Sequence, residues 1–200
     1  MMNSKFLRGA AALCGLSVCL LGGAAEPWSG FYGGINGGRG TTDSDTVTTR
    51  LGRFNGDGSG ALGAVQLGYN YRISPAFVVG IENSFGATRI EAGPGGALSP
   101  HVKLPLLASG RVRGGSLMLD DRLFLYGTGG VAIGRLDDAG VRTGKYGWTA
   151  GAGAEWAWSP ALSTNIEVLT YNLSKDWSKD DNLGSGLKFK TVTFGINYHF

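Results

Sequence analysis

Cysteine, long apolar runs and net charge are all scarce in this 200-residue sequence. Its two cysteines, Cys14 and Cys19, both lie within the first 25 residues. Beyond that segment no stretch of 18 apolar residues occurs, which excludes a protein that spans a membrane with helices. Beyond residue 25 the chain contains 16 Lys and Arg residues (the total of 18 less Lys5 and Arg8) and 15 acidic residues, so the two signs of charge nearly balance. Such balance creates no field that attracts nucleic acid, and no nucleic-acid partner is expected.

The start of the chain is typical of a secretory signal peptide. Lys5 and Arg8 precede an apolar run over residues 10–21. About 12 apolar residues are too few to span a bilayer as a helix, which needs roughly 20. Small residues follow, so we predict cleavage between Ala25 and Glu26.

This cleavage divides the chain into a signal peptide, 1–25, and one domain, 26–200. The exported domain then holds no cysteine and forms no disulfide. An alternative is a lipoprotein cleavage that places a lipid on Cys19. Val18 fits that alternative poorly, because Gly or Ala is expected at its position.

Strict alternation of side-chain type organises the rest of the chain. From residue 191 onward, large apolar residues alternate with small or polar ones, a period of two that predicts a β-strand. Glycine, 36 of 200 residues, is far above the usual share of about 7% and lacks the three-residue period of collagen. The same alternation predicts eight strands: about 28–40, 59–73, 76–89, 103–118, 122–135, 146–158, 161–173 and 187–200.

The connections between these strands alternate in length. Three are tight turns: Ser74-Pro75, Leu119-Asp120-Asp121 and Ser159-Pro160. Four are long and polar: 41–58, 90–102, 136–145 and 174–186. Short periplasmic turns and long outer loops are typical of an up-and-down membrane barrel. The fold class predicted is therefore all-β, an eight-stranded antiparallel up-and-down transmembrane β-barrel.

The apolar face of the strands carries aromatic residues near the tight turns. Such a girdle suits a membrane interface, so we expect the apolar face to point outward into lipid. The aromatic residues are Tyr71, Phe77, Trp156, Trp158, Tyr198 and Phe200.

The opposite face then brings charged side chains into a narrow lumen. Isolated buried charges are costly, so carboxylates and guanidinium groups there are expected to pair and to plug the barrel. A charged pore lining is the alternative. The predicted interior charge network comprises Glu82, Glu155, Glu167, Arg72, Arg111 and Arg113.

Three motifs resemble the outer-membrane immunogenic protein, or small porin-like surface antigen, family of Gram-negative bacteria, which has an OmpA-like barrel. They are Trp28-Ser29-Gly30-Phe31-Tyr32-Gly33-Gly34, Leu125-Tyr126-Gly127-Thr128-Gly129-Gly130-Val131-Ala132 and Gly195-Ile196-Asn197-Tyr198-His199-Phe200. The sequence departs from the family at His199, where a Lys or Arg is common.

This resemblance implies export through the periplasm, with periplasmic chaperones, and location in the outer membrane. Insertion would be performed by the barrel-assembly machinery, which reads the last strand. The residues of that C-terminal insertion signal are Phe194, Ile196, Tyr198 and Phe200.

No arrangement of residues in the sequence predicts an enzyme or a cofactor. An outer-membrane aspartyl protease would need Asp-Asp and Asp-His pairs at the outer rim, yet His101 is not beside an Asp. The pairs Asp137-Asp138 and Asp180-Asp181 are interpreted as solvated loop charge. A lipid A deacylase would need a His–Ser pair on the membrane side, whereas His199 is expected to face the lumen without a neighbouring Ser or Glu.

The long loops contain two further groups of charges. Acidic residues of the first loop could hold Ca²⁺ but lack the EF-hand spacing, so no metal site is predicted; they are Asp43, Asp45 and Asp57. Basic loop residues could contact lipopolysaccharide phosphates; they are Arg50, Arg53, Lys145, Lys175 and Lys179.

Two classes of function remain open from the sequence. The favoured one is a structural, surface-exposed barrel without transport that contributes to envelope integrity and surface interaction. A monomer is expected, with an oligomer as the alternative. The other class of function is a small porin for passive diffusion of small solutes. A soluble ligand-binding barrel of lipocalin type is a third class, which partition with the outer membrane would exclude.

Overall fold

The structure, a computed structural model, describes seven stretches of the chain: residues 28–42, 47–49, 52–54, 58–92, 102–138, 141–176 and 187–200. The predicted cleavage site at Ala25 and Glu26 lies outside them. No helix in the described stretches is long and apolar enough to cross a membrane.

Ten strands make up these stretches, and eight of them close into a barrel. The strands are β1 (Gly30–Thr42), β2 (Val47–Thr49), β3 (Gly52–Phe54), β4 (Gly58–Ser74), β5 (Phe77–Ala92), β6 (Val102–Met118), β7 (Leu123–Asp138), β8 (Val141–Ala157), β9 (Leu162–Asp176) and β10 (Leu187–His199). The barrel order is β1-β10-β9-β8-β7-β6-β5-β4, with β4 returning to β1, and β2 and β3 pair separately. Sequence neighbours pair antiparallel around the barrel, which confirms the up-and-down fold.

The first and last barrel strands form the seam. β1 runs antiparallel to β10, with Ile35 opposite Ile196 and Tyr32 opposite His199. The backbone NH of Phe200 donates to the carbonyl of Phe31 at 2.9 Å and extends the seam to the last residue. Among the described residues, closure leaves no strand of the barrel with an unpaired edge, as a strand in hydrocarbon requires.

The predicted long connection over residues 136–145 is wrong. β7 and β8 continue to pair until Asp138 lies opposite Val141. The polar residues there had favoured a loop, but outside the apolar zone a strand can carry polar side chains on both faces. Asp137 and Asp138 therefore belong to a strand and not to an outer loop.

Burial along the strands follows the predicted period of two. In β10 buried and exposed residues alternate without a break. The exposed set is the apolar one, with Phe194 57% and Tyr198 54% exposed. The outer wall is therefore apolar, as predicted. The lumen contains small and polar residues, but it also holds large apolar residues near both of its ends.

The aromatic residues predicted near the tight turns lie on this outer wall. Trp158 is 67% exposed and contacts Trp156 edge-on at 6.4 Å between ring centroids. Tyr198 and Phe200 meet in the same way at 5.2 Å. Rings at this level form the girdle that a water–lipid interface favours.

Two inward glycines make room for tyrosine rings in the lumen. Gly68 lies opposite Tyr32, and Gly153 lies opposite Tyr126. A Cβ at either glycine would collide with the facing tyrosine ring. Large side chains in the lumen are thus accommodated by glycines on the neighbouring strands.

Candidate functional site: the closed lumen

Arg111 of β6 joins two carboxylates at the centre of the lumen. Its Nη1 lies 2.7 Å from Oε1 of Glu167, and its Nη2 contacts Oε1 of Glu82. Each carboxylate also accepts a hydrogen bond from a tyrosine hydroxyl: Tyr32 donates to Glu82 at 2.7 Å, and Tyr126 donates to Glu167 at 3.2 Å. All five side chains are buried.

Arg113, two residues along the same strand, pairs with the third carboxylate. Its Nη1 lies 3.0 Å from Oε2 of Glu155 and 3.6 Å from Oε2 of Glu82. The guanidinium carbon also lies 4.3 Å from the centre of the Tyr32 ring and 5.4 Å from that of Phe124. Aromatic faces stabilise a cation in this position.

Arg72 is not part of this network, contrary to the prediction. It lies next to the β4–β5 turn, where its Nε donates to the Ser74 carbonyl at 3.3 Å and its Nη2 to that of Pro75. Its Nη1 forms an ion pair with Asp121 at 2.8 Å. Alternation gives the face on which a residue lies but not its depth, and Arg72 is too near the turn to reach the centre.

A cluster of Ser163, His199 and Glu155 lies at the same end, and the sequence spacing did not reveal it. Ser163 Oγ is 2.9 Å from Nε2 of His199 and 2.5 Å from Oε1 of Glu155. Asn197 donates to the same Oε1 at 2.8 Å. These residues come from three strands, so only the register of β8, β9 and β10 brings them together.

This cluster differs from a hydrolytic triad. An activated serine gives its proton to the histidine, while the carboxylate binds the other ring nitrogen. Here the Ser163 hydroxyl donates to Glu155, and Nε2 of His199 therefore donates to Ser163. The arrangement holds Glu155 in place and does not activate Ser163, which is almost completely buried.

An apolar cluster closes the lumen on the side of the tight turns. Trp28, which precedes β1, is fully buried, and its Nε1 donates to the Asp121 carbonyl at 2.5 Å. Its ring centroid lies 5.3 Å from that of Phe124 and 5.8 Å from that of His199. We call this group the turn-side cluster: Trp28, Val78, Leu117, Phe124, Tyr126 and Ala157.

A second apolar cluster closes the opposite end, towards the predicted outer loops. Tyr171 and Phe189 stack there with ring centroids 4.8 Å apart and planes 6° from parallel. We call this group the loop-side cluster: Ile90, Leu104, Leu107, Ala132, Leu169, Tyr171, Leu173, Leu187 and Phe189. The charged network thus lies between two apolar layers.

A small cavity separates the network from the loop-side cluster. It measures about 20 Å³ and is lined by residues that include Arg111, Glu167, Tyr171 and Thr191. A polar cavity of this size has room for about one water molecule. It is far too small for a solute path.

The basic residues predicted for the outer loops are only partly described. Lys145 is not in a loop: it lies in β8, opposite Gly134, and its side chain is buried. Arg53 lies in β3 and Lys175 in β9, while Arg50 and Lys179 fall outside the described residues. The acidic loop residues Asp43, Asp45 and Asp57 and the pair Asp180-Asp181 also fall outside them.

Another set of basic residues surrounds the outer wall at the loop end of the barrel. Its members are exposed and point outward, just beyond the apolar zone of their strands. Arg39 and Arg89 lie at about the same height on the barrel, on either side of β4. Ala61 of β4 is opposite Arg39, and the next residue, Leu62, is opposite Thr88, which precedes Arg89. We call this set the basic collar: Arg39, Arg89, Arg135, Lys188 and Lys190.

Comparison with known proteins agrees with this architecture. The model of a family described as the outer membrane protein beta-barrel domain matches residues 10–200. The 31 kDa outer-membrane immunogenic protein of Brucella melitensis biotype 1 is 33% identical over 203 residues, which cover 86% of this chain and 84% of that protein. The 22 kDa outer membrane protein of Rhizobium leguminosarum bv. viciae is 31% identical over 184 residues, with 88% and 80% covered.

A solved structure has the same fold at low sequence identity. Neisserial surface protein A matches with a TM-score of 0.57 and 12% identity, covering 86% of this chain and 98% of that one.

Proposed function

Since this chain belongs to the outer membrane protein β-barrel domain family and is located in the outer membrane, we propose that it is a structural, surface-exposed barrel that does not conduct solutes. In this proposal it contributes to envelope integrity as a rigid transmembrane element that binds the lipids around it. Its mature form is residues 26–200, after removal of the signal peptide.

One observation carries the proposal: within the described strands, side chains fill the lumen apart from the small cavity beside Arg111. The paired charges at the centre occupy the space that a porin leaves for water. The loop-side and turn-side clusters then cover this network at both ends. An eight-stranded barrel is only just wide enough for side chains to fill its interior.

Solute flux tests this proposal directly. The refolded protein should give no steady single-channel current in planar bilayers and no swelling of liposomes in small sugars. A general porin in the same vesicles serves as the positive control. Steady conductance, or swelling at a rate comparable with the porin, would contradict the proposal and support the alternative, a small porin.

The basic collar supports lipopolysaccharide as a lipid partner. Phosphates of the outer leaflet lie just above the hydrocarbon, and Arg and Lys bind phosphate through charge-assisted hydrogen bonds. Arg39, Arg89 and Arg135 point outward at that level, from three different strands. These arginines take the place of Lys145 in the proposed contact with lipopolysaccharide, because the Lys145 side chain is buried.

Replacing these three arginines by glutamine tests the lipid contact. We expect the triple variant to fold and to copurify with several times less lipopolysaccharide than the wild type. The matched control is Arg122→Gln, an exposed arginine beside a tight turn at the other end of the barrel. Equal lipopolysaccharide on the triple variant and on the control would exclude the collar as the contact.

The apolar outer face of β10 supports the proposed route of insertion. Phe194, Ile196, Tyr198 and Phe200 are all about half exposed on one side of the closing strand. The barrel-assembly machinery would bind this face before closure, after periplasmic chaperones deliver the chain. Deletion of Phe200 should reduce the amount of heat-modifiable protein in the outer membrane. The control Trp158→Ala, which shortens another outward aromatic residue, should not.

A further inference from the structure

Asn83 of β5 is a polar residue in the middle of an apolar wall. Along β5 the outward residues run from Phe77 to Ala87 before the collar begins at Arg89, and Asn83 lies halfway between Phe77 and Arg89. Its neighbours across the strands are Leu67 of β4 and Gly110 of β6. Its exposed amide makes no hydrogen bond with the described residues.

An amide in hydrocarbon needs a hydrogen-bond partner, because no water is present to replace it. The surrounding acyl chains offer neither donor nor acceptor at this depth. Polar side chains that face lipid are rare for this reason, and they mark contacts between membrane proteins. The position of Asn83 therefore calls for a protein partner on this part of the wall.

The wall beside Asn83 allows a close approach. Gly110 has no side chain, and a Cβ there would lie 3.3 Å from Asn83 Oδ1. Directly on the turn side of this row is an outward groove of about 610 Å³. Tyr69, Ile81 and Val112 border this groove, and its floor is formed by glycines of β6 and β7: Gly114, Gly127 and Gly129.

We propose that a second copy of this chain occupies this wall, with the two Asn83 amides paired across a two-fold axis. Copies in one membrane insert in the same direction, so the axis is parallel to the membrane normal and places both Asn83 residues at the same depth. A carboxamide carries both a donor and an acceptor, so two of them can form reciprocal hydrogen bonds. The aromatic and aliphatic residues that border the groove then pack against the partner wall.

Cysteine cross-linking in native outer membranes tests this interface. The mature chain is predicted to contain no cysteine, so Ile81→Cys, the neighbouring outward position on β5, provides a single thiol and keeps the Asn83 amide. Mild oxidation should convert most of this variant into a species of twice the mass. The matched control is Ile166→Cys, which is 53% exposed on β9, the strand diametrically opposite β5; this variant and the wild type should stay monomeric.

Two further variants separate pairing from folding. Asn83→Leu removes the amide and should lower the dimer fraction in mild detergent roughly tenfold. Gly110→Leu fills the notch and should have the same effect, and both variants should keep heat-modifiable migration. Equal cross-linking of Ile81→Cys and Ile166→Cys would overturn the proposal. An adduct whose mass is not twice that of the chain, or an unchanged dimer fraction in Asn83→Leu, would also overturn it.

Discussion

The two ends of the lumen are closed in different ways. The loop-side cluster is assembled from residues of five strands, and no single side chain spans it. The turn-side cluster depends on Trp28, which comes from outside the strands and crosses the mouth to bind the β6–β7 turn. Both closures contain residues of several strands, but only in the turn-side cluster does one residue, Trp28, join the packed rings to a turn.

This difference indicates where the barrel can be opened by a single change. When one residue of a distributed apolar layer is truncated, only the contacts of that residue are lost, and the other residues still close the layer. A layer held by one indole loses its anchor and its hydrogen bond together. The central network connects the two layers, with Arg111 beside the loop-side cavity and Arg113 among the aromatic rings of the turn side.

The largest effect is expected from separating the network from the turn-side cluster. Arg113→Met should lower the free energy of unfolding by about 4 kcal/mol, because Glu155 is left buried without its cation. Urea unfolding in phospholipid vesicles measures the loss. The double variant Arg113→Met with Glu155→Gln should regain about half of it, because no unpaired charge remains; a double variant as unstable as the single one would contradict this explanation.

Truncation at each end compares the two closures directly. Trp28→Ala should cost about 3–4 kcal/mol and should expose the lumen next to His199 to solvent, because both its packing and its bond to Asp121 are lost. Leu173→Ala, in the loop-side cluster, should cost about 2–3 kcal/mol and leave the cluster closed. Hydrogen exchange of the lumen-facing residues of β10 distinguishes these outcomes.

A third variant separates the indole's hydrogen bond from its bulk. Trp28→Phe keeps an aromatic ring and should cost only about 1 kcal/mol, the net value of one hydrogen bond. If Trp28→Ala and Leu173→Ala produced the same exchange pattern, the two ends would be equivalent and the comparison would fail.

The fold could be predicted from the sequence because its determinants are local. Alternation gave the strands and their faces, and Ser74-Pro75 and Ser159-Pro160 gave two of the turns. Residues 136–145 show the limit of this approach, as do β2 and β3, which lie in the predicted loop 41–58. Polar composition indicates that a segment is in water, but it does not distinguish a loop from a strand that extends beyond the membrane.

The candidate site was harder to predict because depth and register are not local properties. Glu155 and Arg113 were assigned to the lumen, but their pairing depends on how β6, β7 and β8 are staggered. The register of β9 and β10 likewise brings His199 to Ser163, residues that lie 36 positions apart. Trp28 was assigned to a strand motif, although its side chain closes the mouth.

The smallest effect concerns the turn that Trp28 binds. Leu119, Asp120 and Asp121 have φ values of 54°, 54° and 63°, a left-handed conformation that costs L-residues about 1 kcal/mol each. Asp120→Gly should therefore raise the free energy of unfolding by about 0.5–1 kcal/mol. Asp121→Gly relieves the same conformation but removes the ion pair with Arg72, so it should gain less. If Asp120→Gly instead lowered the free energy of unfolding, the Asp120 side chain would stabilise the turn by more than its left-handed backbone conformation costs. The turn side would then be stabilised by this turn as well as by Trp28.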